Sequence, residues 1–245
     1  ITEAGDNVLV GKEAGTALTT GPQNVFVGSE AGESAVGAGY NIAIGSDAYK
    51  TAVTGNYNIA IGKNAMNNGL VTANFALGIG YEALKNLTSA GATLAIGAYA
   101  GRNHTTGSDN VYIGHNAGSG STSAGSNVAI GKDALMAVQD STNGGLNTAV
   151  GQGAAVDTTG MRNTMLGYKA GYTSTSANSN VAIGYEAGYK NTTGDSNVFI
   201  GNKAGPSSTS TASNELYIHN NEGTPLIGGD FSAGTVTING VLSAT

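Results

Sequence analysis

The chain has 245 residues, of which 40 are glycine, 11% are charged and 6% aromatic, with neither cysteine nor tryptophan, so no disulfide framework and no large aromatic core holds it together. A net charge of −6 leaves no basic stripe to displace counterions from phosphates, which excludes nucleic acid as a partner. No apolar run reaches the length of a membrane-spanning helix, and since the chain starts at Ile1 without a signal peptide, it reads as a piece of a longer protein that does not insert into a membrane.

One phrase recurs twelve times. Asn24-Val25-Phe26-Val27-Gly28-Ser29-Glu30-Ala31 returns as Asn41 to Ala48, as Asn127 to Ala134 and as Asn197 to Ala204, and its anchor glycine falls at 11, 28, 45, 62, 80, 97, 114, 131, 151, 167, 184 and 201. The step is 17 residues, with excursions to 18, 20 and 16. That period is too short for helix-pair repeats, and the Gly, Thr, Ser and Asn between motifs are poor helix formers, while the core of each phrase is β-branched. Each unit therefore predicts one short strand, and the whole chain an all-β parallel solenoid of about twelve coils, on the order of 50 Å long at ~4.8 Å per coil.

Within a unit, side-chain alternation places the first and third apolar residues, such as Val25 and Val27 or Ile59 and Ile61, on one face, expected to fill the coil. The residue between them is never charged, which implies that the second face is also covered. Another copy of the chain is the simplest cover, so Phe26, Tyr112, Met165 and Phe199 are expected at a trimer axis or interface. The alanine three residues after the anchor glycine fits a corner with room for a methyl group, and the anchor glycine a backbone that a Cβ would block. Thr20-Gly21, Thr54-Gly55, Thr106-Gly107, Thr159-Gly160 and Thr193-Gly194 supply turns.

The asparagine that opens the strand predicts an amide ladder between coils, with Thr93 replacing it once. In the fifth unit Asn74 stands two residues early, which predicts a bulge or loop, and a second loop is expected between Ala137 and Gly145. After Gly205 the pattern stops. Residues 206–213 read as a linker, and residues 214–245 as a short C-terminal β-hairpin segment continuing into a further domain.

Chemistry is sparse. Glu30, Asp47, Glu82, Asp133 and Glu186 all precede the corner alanine, a position that accepts Asn and Lys elsewhere, and read as solvated turn residues rather than a catalytic pair. His104, His115 and His219 form no ligand cluster and read as surface or interface residues. No phosphate loop or calcium-binding repeat is present, so no catalytic residue, cofactor or metal is expected. Tyr168, Tyr172, Tyr185 and Tyr189 fall on two adjacent coils and form a candidate glycan or receptor contact, against the plainer reading of tyrosines packed between coils.

The repeated Asn-(Val/Ile)-Ala-Ile-Gly-x-x-Ala phrase over residues 1–205 resembles the head repeats of trimeric autotransporter adhesins of the YadA-like kind, and is similar to segments of trimeric phage tail fibres and bacterial surface fibres. The resemblance implies a left-handed parallel β-roll assembled as a homotrimer, extracellular, on a cell surface or in a virion tail fibre. The function it implies is non-enzymatic attachment to a glycan or protein receptor on a host or prey cell. The alternatives are a polysaccharide-depolymerising tail spike and, last, an ice-binding solenoid, disfavoured because the threonines fall in turns of uneven length.

Overall fold

The computed structural model describes residues 5–137 and 145–241. Among them there is no helix, and the chain is a β-solenoid. Twelve three-residue strands recur once per coil: β1 (Val8–Val10), β2 (Val25–Val27), β3 (Ile42–Ile44), β4 (Ile59–Ile61), β5 (Leu77–Ile79), β6 (Leu94–Ile96), β7 (Val111–Ile113), β8 (Val128–Ile130), β9 (Thr148–Val150), β10 (Thr164–Leu166), β11 (Val181–Ile183) and β12 (Val198–Ile200). They stack in parallel and in strict register, Ile42 on Ile59 and Ala43 on Ala60, because each strand sits at the same place in its repeat.

Three left-handed backbone positions per coil make so short a circuit close. One lies immediately before the strand asparagine (Tyr40, φ 61; Tyr57, φ 59), one immediately before the corner alanine (Glu30, φ 60; Asp47, φ 58) and one immediately after it (Gly32, φ 61; Tyr49, φ 56). The anchor glycine is the fourth special position. Gly45 has φ +134, and a Cβ there would come within 2.7 Å of the Gly62 carbonyl of the next coil, so only glycine lets the coils approach. The corner alanines expected to tolerate only a methyl, such as Ala31, Ala48 and Ala187, are fully buried.

The two strand faces are the reverse of the sequence expectation. The middle residue points into the coil: Phe26 and Tyr112 are 0% exposed, Met165 1% and Phe199 2%, all within one chain. They are core residues, so the expected placement at a trimer interface is corrected. The first and third residues face outward instead. The strand asparagine explains the parity: Asn41 and Ala43 are both buried, so they share the inner side, and Ile42 and Ile44 must share the outer one.

Asparagine belongs inside because its amide completes the coil. Asn24 Oδ1 accepts the Asn41 backbone N–H at 2.9 Å, while Asn24 Nδ2 donates to the Ala38 carbonyl at 2.8 Å. The ladder foreseen from sequence is thus present, with much of its bonding to backbone. It lapses at Ala76, which receives no amide side chain but whose N–H still reaches Asn58 Oδ1 at 2.9 Å. Asn74 is not an early copy of the strand asparagine. It extends an outer column, accepting the Asn56 N–H at 2.8 Å, and the extra residue of this coil is taken up in the turn near Leu70, which is 70% exposed, without a bulge in β5. Most of the loop expected between Ala137 and Gly145 lies outside the described residues.

Residues 206–213 continue the coil path rather than leaving it as a free linker. The Thr192 N–H donates to Ser210 O at 2.9 Å, and Asn197 Nδ2 to Ala212 O at 2.9 Å. The strand β13 (Glu215–Ile218) then stacks in parallel on β12. Only there does the direction change, with β14 (Ile227–Asp230) and β15 (Thr235–Ile238) adding antiparallel to the same sheet.

Candidate binding surface

Three surfaces have the chemistry to meet a ligand or partner. The first is the outer face of the sheet. Two rows run along it, from Val8, Val25, Ile42 and Ile59 to Val198, and from Val10, Val27, Ile44 and Ile61 to Ile200, interrupted only by Thr148 and Thr164. Val8 is 50% exposed, Val10 56%, Ile44 39% and Leu166 45%. Beside these rows lies an aromatic ladder that the sequence reading missed. Tyr40, Tyr57 and Phe75 are exposed and stack at 4.9 and 5.2 Å between centroids. The signal was available, since Tyr40 and Tyr57 each directly precede a strand asparagine one period apart.

The second surface lies at the corner of the fifth to seventh coils. Tyr81 and Tyr99 pack edge-to-face at 5.3 Å, and Tyr99 meets His115 in the same manner at 5.6 Å. Beneath them Glu82 is almost wholly buried, held by Lys85 Nζ at 2.8 Å and Arg102 Nε at 2.7 Å. Burial works against its ionisation, but the bond from Lys85 and the positive charge of Arg102 outweigh it and hold the carboxyl below its ordinary range. Glu82 therefore differs from the solvated turn residue expected at this position. Glu30 and Asp47 fit that expectation better, gathered around the Lys50 ammonium at the surface.

The third surface contains the four tyrosines singled out from sequence. Tyr168 stacks on Tyr185 at 5.2 Å and Tyr172 on Tyr189 at 5.3 Å, with Lys169 Nζ 5.3 Å from the Tyr168 and Tyr172 centroids alike. The structure brings all four together, but as packing between adjacent coils. Each stack covers one face of each ring, and Lys169 lies over Tyr168 and Tyr172.

Histidines and carboxylates do not assemble into a centre. Among the described residues no group of three or more His, Cys, Asp or Glu could hold a metal ion. His115 is exposed as expected, but His104 is fully buried in the column between Leu87 and Ser121, with its Nε2 against the Gly107 carbonyl. Burial pushes its pKa below the ordinary value.

The fold and these surfaces define a β-solenoid repeat protein with an apolar sheet face and polar, aromatic corners. Comparison with protein-family models, with curated proteins and with solved structures found no match to this chain.

Proposed function

We propose that the solenoid is a segment of a homotrimeric extracellular fibre that mediates attachment to a cell surface without catalysing a reaction. The observation that carries this reading is the pair of outward Val/Ile rows. At ~4.8 Å per strand, twelve strands make an apolar band on the order of 500 Å², broken only at Thr148 and Thr164 in one row, at the upper end of what a soluble monomer leaves in water. Three copies arranged about an axis parallel to the solenoid would bury the same face of each, as cyclic symmetry requires. The number three comes from the resemblance to trimeric adhesin and tail-fibre repeats. Polar corners would then form the outside of the fibre, where a receptor would be met.

A polysaccharide-depolymerising spike has one observation in its favour. Glu215 and Asp230 face each other across β13 and β14 and line an open recess of about 310 Å³. Burial, then the Asp230 charge, raises the Glu215 pKa, while the Ser232 hydroxyl and the Ala233 and Ser232 amides lower that of Asp230. Those bonds also give Asp230 a structural task in the turn before β15, which favours the non-catalytic reading. The ice-binding alternative meets a different obstacle from the one expected. The threonines do align, but Thr88, Thr105 and Thr175 donate their hydroxyls to carbonyls of the next coil, at 2.9, 2.9 and 3.1 Å.

Labelled protein applied to encapsulated bacteria and to animal cells tests the reading. Retention on a cell surface with no clearing of capsular polysaccharide is expected. Clearing that is lost in Glu215→Gln would replace attachment with depolymerisation.

A further inference from the structure

We infer that the recess bounded by Tyr81, Tyr99, Arg102, Asn103 and Ser119 is a binding site for a carboxylate-bearing pyranose, such as a hexuronic or nonulosonic acid unit of a surface polysaccharide. The inference deepens the attachment reading and rests on it for its setting.

The recess is open and about 300 Å³ in volume, enough for one sugar ring. Its charge is the first argument. Glu82 is a single carboxylate flanked by two cations, Lys85 and Arg102, so the floor keeps one uncompensated positive charge in a chain whose net charge is −6. Arg102 uses Nε toward Glu82 and rests its guanidinium 5.4 Å from the Tyr99 centroid. Its terminal nitrogens remain as a planar pair of donors suited to a carboxylate.

Hydrogen-bonding capacity for hydroxyls is arranged beside it. An outer asparagine column runs Asn68 to Asn86 to Asn103, each amide N–H₂ donating to the next Oδ1 at 3.1 and 3.2 Å. The column ends at Asn103, which lines the recess next to Ser119. Tyr81 and Tyr99 are set at 88°, so the ring that offers its edge keeps both faces clear of the other, where each ring of the stacked pairs Tyr168 with Tyr185 and Tyr172 with Tyr189 keeps one. A pyranose offers one such face its axial C–H groups.

The repeat position supplies a further argument. Tyr99 occupies the left-handed position before the corner alanine, at φ 61. Other coils fill it mostly with charged or amide residues, such as Glu30 (φ 60), Asn64 (φ 60), Asp133 (φ 57) and Lys169 (φ 51), and Tyr99 is the one aromatic there among the described residues. The sixth coil thus presents a ring at a corner where its neighbours present a polar side chain.

Binding of the intact chain to an array of neutral, uronate-bearing, sialylated and sulfated glycans tests the site, with Tyr99→Asn, Arg102→Gln and Tyr185→Ala as variants. Retention on carboxylate-bearing glycans is expected, lost when their carboxylates are reduced to alcohols and weakened about tenfold or more in Arg102→Gln. Tyr99→Asn should lose binding while melting no lower than the unaltered chain, which separates a ligand contact from a structural role. Tyr185→Ala should bind normally. Equal retention on neutral or sulfated glycans, or full binding by Tyr99→Asn, overturns the site while leaving attachment standing. No retention on any glycan or any cell overturns both.

Discussion

The ring of Phe26 fills the space where Gly32 would carry a Cβ, its nearest carbons 2.5 Å from that position. The pairing repeats as an exchange of volume inside the coil. Where the strand centre is large, as at Phe26, Tyr112, Met165 and Phe199, the residue after the corner alanine is Gly32, Gly118, Gly171 or Gly205. Where the centre is small, at Ala43, Ala60, Gly78 and Ala129, that residue is Tyr49, Met66, Leu84 or Leu135, buried and with positive φ. In these coils one large side chain comes from either side of the same narrow core, whereas Ala95 with Gly101 and Ala182 with Gly188 leave room for Tyr112 and Phe199 of the adjacent coils. Phe26→Ala should therefore cost about 3–5 kcal/mol. Adding Gly32→Leu should recover part of that loss by rebuilding the Ala129/Leu135 arrangement, although Gly32→Leu alone destabilises. Chemical denaturation of the four species gives the coupling, and additive losses would refute the exchange.

The anchor glycines admit no such compensation. Gly45→Ala places a methyl against backbone of the next coil, which cannot rotate away. A loss of about 2 kcal/mol or more is expected, against little change for Gly37→Ala, where a Cβ would meet only the Thr20 hydroxyl at 3.5 Å. The two midpoints of unfolding make the comparison.

Asn41 is buried and joins three coils, donating to Gly55 O at 2.9 Å and accepting the Asn58 N–H at 2.8 Å. Asn41→Leu leaves a buried donor and a buried acceptor without partners, at about 1–3 kcal/mol each. Hydrogen exchange at the Asn58 amide should accelerate in the variant, and unchanged protection there would show that the ladder contributes little.

His104 gives the fold a dependence on pH. Its folded pKa lies below the ordinary 6.5, because burial disfavours the imidazolium, against a smaller opposing bond to Gly107. An unfolded chain therefore takes up the proton more readily, so the contribution to stability is complete above 6.5 and is lost as pH falls from there through the folded value. His104→Asn copies the bond that Asn191 makes to Gly194 at 2.9 Å, three residues ahead, and removes the titration. The unaltered chain should lose thermal stability relative to that variant as pH falls below 6.5. Parallel pH profiles would contradict this.

Much of this fold is legible in the sequence, because a solenoid writes its period directly into the chain. The 17-residue step, the anchor glycine, the corner alanine and the amide ladder each follow from one repeated constraint. The strand faces do not follow from hydrophobicity, since Ile42 and Ile44 are bulkier than Ala43 yet lie outside. The deciding parity is carried by Asn24, whose amide has work to do only inside. The recess at Tyr99 is harder to read. It depends on Glu82, Tyr99 and Asn116 being brought together from successive coils, which the stacking of the coils alone reveals. The C-terminal β13 breaks the motif while keeping the register, so the end of the repeat phrase is not the end of the sheet.

The solution mass of the chain, by light scattering over a range of concentrations, tests most directly whether the outward Val/Ile rows are buried by identical copies. The account predicts three times the 24.2 kDa of one chain, falling to one in Ile44→Asp combined with Ile61→Asp, two outward positions that leave the core untouched. A single-chain mass at every concentration, with the rows left in water, would contradict it.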